Sequence, residues 1–471
     1  MIDLHTGKIT INFYVFWKNY CNLFLKNDLI ILYNSMDRLT ARNLTRAKRQ
    51  TQICKVFEIK IDRSHLSKQV QQSLNNLFIE TKWFYNYCLS HNKINDANCM
   101  ITNVPVKVKD EFENRDFAIL QTQHRQAIKD RIFNSLKMLS TKKKQGHKVG
   151  KLKFKSQVNS IPLRELGGKG HTGTYRIDFE KQRITLAGIK FKWLKVKGLN
   201  QIPKESEIAN AVLIKKGQDF YLNITAYQDK EIKIVPNASI GIDFGCESQL
   251  TFSNGIKINF QVPESDRLKR LSHKLSKNKN SENSKKKNQL KLKRQKEYLH
   301  LTDKRKDIKN KIVNAITKSY KYVSFQDESI HAWAMSGKGK SIQYSGIGGI
   351  ISDLKNKSHT PLQVDKFFPS TQLCPQCGNK YKLSQSERTY NCPKCGYTND
   401  RDVKSAICIE TEGLKQIPLD GRDYKAQESP TSGFFDTLTA VNGIKVIKLD
   451  SVNVESRSNA VRHRPNYWKI I

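Results

Sequence analysis

Two Cys-Pro-x-Cys-Gly turns constrain the fold of this chain more than any other feature of its sequence. Cys374 and Cys377 lie in the first turn, Cys392 and Cys395 in the second, and fourteen residues separate the two pairs. Four thiolates from two such turns make a closed tetrahedral zinc site. A redox dithiol would need only one pair, so we predict structural zinc. Because a closed site leaves no open position for a substrate, the chemistry must lie elsewhere.

The charge of the chain points to a polyanionic partner. Lysine and arginine number 83 against 43 aspartates and glutamates, which gives a formal net charge of +40 over 471 residues. Such an excess is hard to keep on a compact protein unless phosphate groups neutralise it. The alternative is a basic protein without such a partner. We predict nucleic-acid binding, and the length suggests about three domains.

The N-terminal stretch is apolar but does not read as a membrane span. Lys18, Lys26 and Asp28 interrupt it, so it falls short of the roughly 20 unbroken apolar residues that a span requires. Met36 opens a basic, polar segment and is a candidate start of translation, so we interpret residues 1–35 as an uncertain N-terminal extension. The remaining cysteines are scattered singly, as is typical of reduced thiols in a cytosolic protein.

Hydrophobic periodicity divides the first half of the chain. Residues 54–62 alternate as in a strand, and period-two segments return over 174–228. Helical spacing dominates between them, at about 64–160. We therefore predict a small β-barrel domain over 36–236 that is interrupted by a helical recognition lobe. Two unrelated small domains are the alternative.

The second half predicts a mixed sheet followed by a tail. Residues 239–260 indicate a β-meander with an Asn-Gly turn. Two helices are predicted over 267–316, each with one buried stripe and a highly cationic outer face. Residues 320–333 indicate a strand that ends in acidic residues. The composition of residues 413–471 predicts a poorly ordered C-terminal tail.

Three acidic residues stand at the ends of these predicted elements: Asp243, Glu328 and Asp402. Carboxylate oxygens are hard ligands that suit Mg²⁺, and two such ions can activate a water and stabilise the leaving oxygen of a phosphodiester. Alone, each acid is more often a helix cap or an ion-pair partner. An aspartate on a β-meander, a glutamate at a later strand end and an aspartate that opens a helix are together typical of ribonuclease-H-like nucleases.

Five segments carry a resemblance to a known family. They are "KKKQGHKVGKLKFKSQVNSIPL", "GIDFG", "FQDESIHAW", "FFPSTQLCPQCG" and "CPKCGYTNDRDVKSA", and they lie within residues 54–412. On these segments the chain resembles the TnpB proteins of insertion sequences and their relatives, the miniature type V CRISPR effectors. The order of the cysteine pairs and acids is specific, whereas no single segment is.

The resemblance implies an α+β multidomain fold. The β-barrel with its helical lobe would precede a ribonuclease-H-like (RuvC-like) nuclease domain at 237–412, into which a zinc ribbon is inserted at 370–398. It implies that Asp243, Glu328 and Asp402 bind catalytic Mg²⁺ and that the four cysteines bind Zn²⁺. The ribbon would then bring the helix of the last aspartate beside the strands of the other two acids.

Two neighbouring acids and one departure bear on this site. Asp327 and Asp400 are the residues with which the predicted ligands could be confused. Strand alternation places the glutamate opposite Val323 and Phe325, and motif alignment favours the second aspartate of Asp-Arg-Asp. Many members of the family carry asparagine where this chain has Lys404, which leaves the acid intact but changes the pocket beside it.

The resemblance further implies an RNA-guided DNA endonuclease that works with a guide RNA on target DNA, in the cytoplasm and at the nucleoid of a prokaryotic cell, without a membrane. Three alternatives stay open: a miniature type V CRISPR effector nuclease, a catalytically weakened RNA-guided repressor, and a true transposase. A transposase commonly has the acid order Asp, Asp, Glu and no zinc ribbon before the last acid. The sequence leaves the oligomeric state and the transposon or CRISPR association open.

Overall fold

A computed structural model describes residues 38–108, 111–164, 173–189, 193–230, 235–277, 284–384, 387–417 and 431–449. The predicted extension at 1–35 lies outside these described residues. The chain divides into two compact units, Met1–Glu231 and Ile232–Ile471. Among the described residues, no helix combines the length and the apolar character that crossing a membrane requires.

The strands of the first unit follow the period-two segments of the sequence. In chain order they are β1 (Gln52–Ile61), β2 (Asn103–Val108), β3 (Glu111–Asp116), β4 (Ser160–Leu163), β5 (Tyr175–Asp178), β6 (Arg183–Leu186), β7 (Leu194–Lys197), β8 (Glu207–Lys216) and β9 (Asp219–Asp229). Seven of them form one sheet in the order β4-β8-β9-β1-β7-β6-β5, while β2 pairs, within the described residues, only with β3. The prediction that residues 54–62 share a sheet with strands of 174–228 is confirmed.

This sheet closes almost into a barrel. The backbone N–H of Thr174, just before β5, donates to the carbonyl oxygen of Arg164, just after β4, at 2.8 Å. The backbone N–H of Arg164 in turn donates to Thr174 Oγ1 at 2.7 Å. The two edge strands therefore meet. Alternate residues of β9, including Leu222 and Ile224, are fully buried, so one face of each strand fills the interior.

Two long helices and a hairpin lie between β1 and β4. The helices of the first unit are α1 (Arg38–Gln50), α2 (Lys68–Ser90) and α3 (Thr122–Lys144), with 3-10 turns at Arg63–His65, Ile94–Asp96 and Leu199–Gln201. The Ser67 hydroxyl caps α2 by accepting from the Val70 N–H at 3.3 Å. The hairpin β2–β3 was not predicted, because its strands contain Pro105 and a run of exposed polar residues that obscure any alternation.

The second unit contains a mixed six-stranded sheet and a small hairpin. Its strands are β10 (Ser239–Phe244), β11 (Leu250–Phe252), β12 (Ile256–Asn259), β13 (Tyr322–Gln326), β14 (Thr360–Val364), β15 (Thr389–Asn391), β16 (Thr398–Asp400) and β17 (Lys445–Lys448). The sheet order is β14-β13-β10-β11-β12-β17, and β15 pairs with β16. Strands β10, β13 and β14 are parallel, whereas β11, β12 and β17 continue the sheet antiparallel.

The helices of the second unit pack against this sheet or against one another. They are α4 (Asp266–Lys277), α5 (Lys285–Ser319), α6 (Ile330–Trp333), α7 (Gly339–Ser345), α8 (Ile347–Lys357), α9 (Arg401–Leu414) and α10 (Thr431–Thr439), with a π-helical turn at Ala334–Lys338. Helices α4 and α5 occupy the predicted basic segment 267–316. Helix α5 carries thirteen lysines and arginines against three acidic residues.

Two predictions made from the sequence are wrong in this unit: the strand over 320–333 and the poorly ordered tail. The strand predicted over 320–333 ends at Gln326, and all five residues of β13 are buried. Alternation therefore does not orient Glu328, because β13 is an interior parallel strand that is covered on both faces. The tail predicted at 413–471 is not poorly ordered over 431–449. There α10 buries Phe434 and Leu438, and β17 pairs with β12; the remainder of the tail beyond residue 417 lies outside the described residues.

Candidate active site and metal centre

The four cysteines form one compact cluster. Their sulfur atoms all lie within 4.8 Å of one another, and the Sγ atoms of Cys374 and Cys395, like those of Cys377 and Cys392, are 3.6 Å apart. Four sulfurs bonded to one zinc ion at about 2.3 Å would be about 3.8 Å apart. The cluster thus has the dimensions of a tetrahedral zinc site and could hold the predicted ion.

The two turns that carry the cysteines have the same backbone geometry. Gly378 and Gly396 both have φ of 70°, a left-handed conformation that glycine adopts without strain. Their N–H groups donate to the carbonyl oxygens of Cys374 and Cys392, each at 3.0 Å. Each turn can therefore fold back beneath its own pair of sulfurs.

The Cys392 thiol has a lowered pKa, which favours the thiolate form that binds metal. Burial opposes ionisation of Cys392, but hydrogen bonds from the backbone N–H groups of Cys395 and Lys394 overcome it and lower the pKa of the thiol to about 6. Burial raises the pKa of the Cys374 thiol instead. Since zinc binds thiolates, an ion in the cluster would release the protons that the remaining thiols retain.

Asp243 and Glu328 lie at the same edge of the six-stranded sheet. Ile242 of β10 pairs in parallel with Phe325 of β13, so the carboxyl ends of both strands point the same way. Asp243 follows Ile242 directly, and Glu328 lies two residues beyond the last residue of β13, Gln326. The carboxyl edge of parallel strands is where open α/β sheets bind their ligands.

Asp402 reaches this edge because α9 lies closely against β10. An added Cβ at Gly241 of β10 would lie 2.0 Å from the carbonyl oxygen of Ala406 in α9. The approach is as close at Gly413 of α9, where a Cβ would lie 2.3 Å from the hydroxyl of Ser324 in β13. Only glycine permits these contacts, and they set the first turn of α9, with Asp402, beside the two strands.

The three carboxylates interact electrostatically. Burial, followed by the negative charges of Asp402 and Glu328, raises the pKa of Asp243 to about 8 against the opposing charges of Lys404 and Arg401. A buried carboxylate with acidic neighbours is stabilised when a proton or another cation offsets its charge. The arrangement therefore favours binding of a cation.

The neighbouring acids have other partners. Asp327 accepts from Lys355 Nζ at 3.2 Å, and its side chain is 49% exposed. Asp400 is the N-cap of α9, because its Oδ1 accepts from the backbone N–H groups of Asp402 at 3.0 Å and Val403 at 3.1 Å. Asp400 is thus committed to the helix, whereas the carboxylate of Asp402 lies near Lys257 and Arg401 and acts electrostatically on Asp243.

The donor set of the acidic cluster fits magnesium. Among the described residues, the cysteines are the only group of three or more potential ligands whose ligand atoms all lie within 4.8 Å of one another. The three carboxylates are therefore farther apart than the ligands of one closed site. Mg²⁺ retains several waters and is usually held by one or two carboxylates, so this spacing suits a site that shares its ions with water and phosphate.

Lys257 supplies a positive charge at this site that the sequence did not reveal. Its Nζ lies 2.8 Å from a carboxylate oxygen of Asp400 and 3.4 Å from Asp402 Oδ2. The side chain is only 12% exposed. In the strand β12 it alternates with the buried Ile256 and Ile258, and the sequence shows this alternation but not what faces the lysine. The ammonium would compete with a metal ion for Asp402.

We expect Lys257→Met to strengthen Mg²⁺ binding by about tenfold, because a unit charge about 5 Å from a divalent ion costs roughly 1.5–2 kcal/mol even at the dielectric constant of water. The apparent affinity can be measured from the rise in Tm during a magnesium titration. Lys311→Met is the control, since Lys311 pairs with Asp307 within α5. Weaker Mg²⁺ binding in Lys257→Met would show that the lysine orients Asp402 rather than competes for it.

A hydrogen-bond network fastens the segment before the cysteines to both β13 and α9. Gln326 Nε2 donates to the carbonyl oxygen of Phe368 at 2.8 Å, and its Oε1 accepts from the Ser370 hydroxyl at 3.1 Å. Lys404 is fully buried and donates from Nζ to the Ser370 carbonyl oxygen at 3.0 Å. Its Nζ also lies 4.3 Å from the centre of the Tyr390 ring. Burial lowers the pKa of Lys404 to about 8.

Lys404 thus has a structural role in this chain. It links the helix of Asp402 to the segment that leads into the cysteine cluster, and Gln326 links the same segment to the strand that precedes Glu328. The departure at Lys404 was visible in the sequence, whereas its partner was not, because Ser370 lies 34 residues away along the chain.

A comparison with protein families finds a match in this part of the chain. Residues 352–409 match the model described as Cas12f1-like, TNB domain. The matched segment contains the four cysteines and Asp402, whereas Asp243 and Glu328 lie before it. The segment that carries the cluster and the last acid is therefore the part that the family model recognises.

Two curated relatives extend the likeness. A protein of Streptomyces pristinaespiralis, named as a candidate RNA-guided DNA endonuclease, is 28% identical over 186 residues, which are 38% of this chain and 46% of the relative. The candidate RNA-guided DNA endonuclease InsQ of Escherichia coli (strain K12) is 26% identical over 266 residues, which are 50% of this chain and 64% of the relative. The chain resembles RNA-guided DNA endonucleases. The resemblance predicted from the sequence is confirmed.

The matches to RNA-guided DNA endonucleases span only about half to two thirds of the length of those relatives.

The likeness to solved structures is weaker. A Cas12f1–sgRNA–target DNA complex aligns with a TM-score of 0.22 and 13% identity over 76% of this chain and 99% of that one. The mini-RNA-guided endonuclease CRISPR-Cas_phi3 aligns with a TM-score of 0.34 and 9% identity over 86% of this chain and 99% of that one.

Proposed function

We propose that this chain is an RNA-guided DNA endonuclease encoded by an insertion sequence, similar to TnpB, with one Mg²⁺-dependent site. One observation carries the proposal: Asp243 and Glu328 lie at the carboxyl edge of two parallel strands, and the helix of Asp402, which packs against those strands, begins directly after the cysteine cluster. The names of the two curated relatives give the substrate class.

The topology of the second unit supports a ribonuclease-H-like (RuvC-like) domain. Its five core strands run β12-β11-β10-β13-β14, so an antiparallel meander is extended by two parallel strands. In chain order, Asp243 lies on the first of these strands, β10, and Glu328 follows the fourth, β13. Asp402 lies in α9, the helix after the fifth strand, β14. The cysteine cluster is inserted between the fifth strand and that helix.

In the proposed reaction, Asp243, Glu328 and Asp402 would hold Mg²⁺ at the carboxyl edge of the sheet. Bound Mg²⁺ would supply activation of a water and stabilisation of charge on the leaving oxygen. The water would add to phosphorus, the P–O bond to the leaving oxygen would break, and the products would be a phosphate monoester and a hydroxyl. Asp400 and the glycine contacts of α9 would keep the carboxylates in place while this charge develops.

Helix α5 would contact the phosphate backbone of the bound nucleic acids. Residues 285–300 of this helix have no buried side chain, whereas its second half buries a stripe of residues that includes Ile308 and Ile312. The first half therefore presents an exposed cationic surface. A guide RNA paired with one DNA strand is a polyanion that such a surface can hold without reading its sequence. Both curated relatives are bacterial, and a DNA substrate would place the protein at the nucleoid.

The test begins with the protein expressed together with its native flanking DNA. We expect the purified protein to carry RNA from the edge of its own locus, and this RNA to direct cleavage of a matching DNA in Mg²⁺ but not in EDTA. Sequencing of the co-purified RNA and a gel assay of DNA cleavage measure the two parts. A scrambled target of equal length is the control.

Each alternative predicts a different result. Repeat-spacer RNA would identify a miniature type V CRISPR effector, and guided binding without cleavage would identify a repressor. Strand transfer with transposon-end DNA would identify a transposase. If no RNA is enriched and cleavage is independent of sequence, guided recognition is excluded and a basic metal-dependent nuclease remains.

A further inference from the structure

The first unit contains a groove that the proposed nuclease site does not use. A cavity of about 470 Å³ opens between α2, α3 and residues 151–158. A second cavity, of about 410 Å³, continues it along α3, and the two share Lys151 and Leu152. We call the two cavities together the lobe groove.

The charge of the lobe groove is of one sign. Five cationic side chains line it: Arg131, Lys143, Lys151, Lys153 and Lys155. No aspartate or glutamate of the described part of the chain lines either cavity. Over the residues that the structure describes, none of the five forms an ion pair with a carboxylate. A row of cations without acidic partners favours an anionic ligand.

The walls of the groove are held in place. The backbone N–H of Lys155 donates to Asn86 Oδ1 at 2.9 Å, and Asn86 Nδ2 donates to the Lys155 carbonyl oxygen at 3.0 Å. Arg131 Nη1 donates to Ser160 Oγ at 3.1 Å. These bonds tie residues 151–158 to α2 and tie α3 to β4, so the cationic side chains extend from a defined backbone.

Arg131 and Lys155 line the same cavity, and Lys155 lies over an aromatic ring. Lys155 Nζ lies 4.1 Å from the centre of the half-buried Tyr85 ring. Burial, and then the charge of Arg131, lower the pKa of Lys155, so the two cations are close enough to repel each other. The floor beneath them is apolar and includes Ile128 and Ile132. A phosphate between the two cations would neutralise their charge, and a flat ring packed on the apolar floor would cover it.

We propose that the lobe groove binds unpaired nucleotides of a single-stranded nucleic acid, with a phosphate between Arg131 and Lys155 and a base against Tyr85 and the apolar floor. Single-strand-binding proteins combine a cationic groove with aromatic rings in this way. An acidic peptide would match the charge but not the ring and the apolar floor. The proposal rests on the proposed function only in taking nucleic acid as the partner.

The test compares single-stranded binding by two double variants that lose the same charge. Arg131→Gln with Lys155→Gln removes the cation pair, whereas Lys137→Gln with Lys142→Gln removes two exposed cations of α3 that line neither cavity. Full-length protein freed of bound RNA is titrated with a 20-nucleotide RNA and with DNA of the same sequence, and binding is followed by fluorescence anisotropy. We expect the groove variant to lose about tenfold or more in affinity and the control about threefold or less.

Photocrosslinking of the wild-type protein gives an independent readout. RNA with 4-thiouridine, or DNA with 4-thiothymidine, should crosslink to Tyr85 or to residues 151–155, and the more efficient of the two identifies the strand. Equal affinities of the two double variants, or crosslinks confined to the second unit, would overturn the proposal. Neither readout requires a guide or cleavage. A negative result would therefore leave the nuclease proposal intact, and a protein without nuclease activity could still bind single strands in the lobe groove.

Discussion

Asp243→Asn should abolish DNA cleavage while leaving RNA binding unchanged. The substitution keeps the shape of the side chain and removes the charge that would hold Mg²⁺ at the carboxyl edge of the sheet. Loss of a metal ligand forfeits several kcal/mol of transition-state stabilisation, which corresponds to on the order of a thousandfold in rate. A single-turnover cleavage assay with guide RNA measures the loss, and co-purified RNA measures the retained binding.

Asp327→Asn is the matched control for this prediction. Asp327 adjoins Glu328 but pairs with Lys355 and is half-exposed, so its substitution should change the cleavage rate by less than about threefold. Substantial cleavage by Asp243→Asn would show that Asp243, Glu328 and Asp402 do not form the site of cleavage. An equal loss in both variants would show that the effect arises from the charge of the region and not from a particular ligand.

Asp243→Asn should also raise the free energy of unfolding at alkaline pH when no metal is present. Burial and its acidic neighbours raise the pKa of Asp243 to about 8, above its value in an unfolded chain. The folded state therefore binds this proton more tightly, and the free energy of unfolding falls as the pH rises from about 4 to about 8. Asp243→Asn removes this loss.

We expect Asp243→Asn in EDTA to have a higher Tm than the wild type at about pH 8.5, and this difference to shrink steadily as the pH falls toward about 4. Addition of Mg²⁺ should raise the Tm of the wild type and not that of the variant. Thermal unfolding measures all of these values without an active complex. A variant that Mg²⁺ stabilises as much as the wild type would show that Asp243 does not bind the ion.

Short-range chemistry accounts for what the sequence predicted well. The spacing of the cysteines within each turn fixes which sulfurs can share an ion, and the alternation in residues 54–62 fixes one face of β1. The meander of β10, β11 and β12 follows from similar patterns. These signals depend on residues close together in the chain, so one sequence suffices to read them.

The details that assemble the site depend on contacts between distant residues. Lys257 meets Asp402 across 145 positions, and Gly241 is needed because of a helix that begins at Arg401. Neither local pattern reveals its partner. The orientation of Glu328 was inferred from alternation that does not apply, because β13 is buried on both faces. The helix and strand at 431–449 were missed since their few apolar residues gain burial only from residues distant in the chain, such as Phe252 and Tyr320.

Cys392→Ser should reduce both zinc content and cleavage. Structural zinc contributes about 10–16 kcal/mol to the folding of small sites, so the turns that hold the cysteines would not persist without it. Asp400 is both the last residue of β16 and the N-cap of α9. Loss of the hairpin would therefore release the start of α9 and the carboxylate of Asp402.

A displacement of about 1 Å at a reacting group can cost a hundredfold in rate, and we expect a loss of cleavage on the order of a hundredfold for Cys392→Ser. Metal analysis of the purified protein should show zinc in the wild type and in Cys54→Ser, whose exposed cysteine lies outside the cluster, but little in Cys392→Ser. Full cleavage by a zinc-free Cys392→Ser protein would mean that Gln326, Lys404 and the glycine contacts of α9 position Asp402 without the cluster. A loss of cleavage in Cys392→Ser would explain why the cysteine turns are followed so closely by the carboxylate of Asp402.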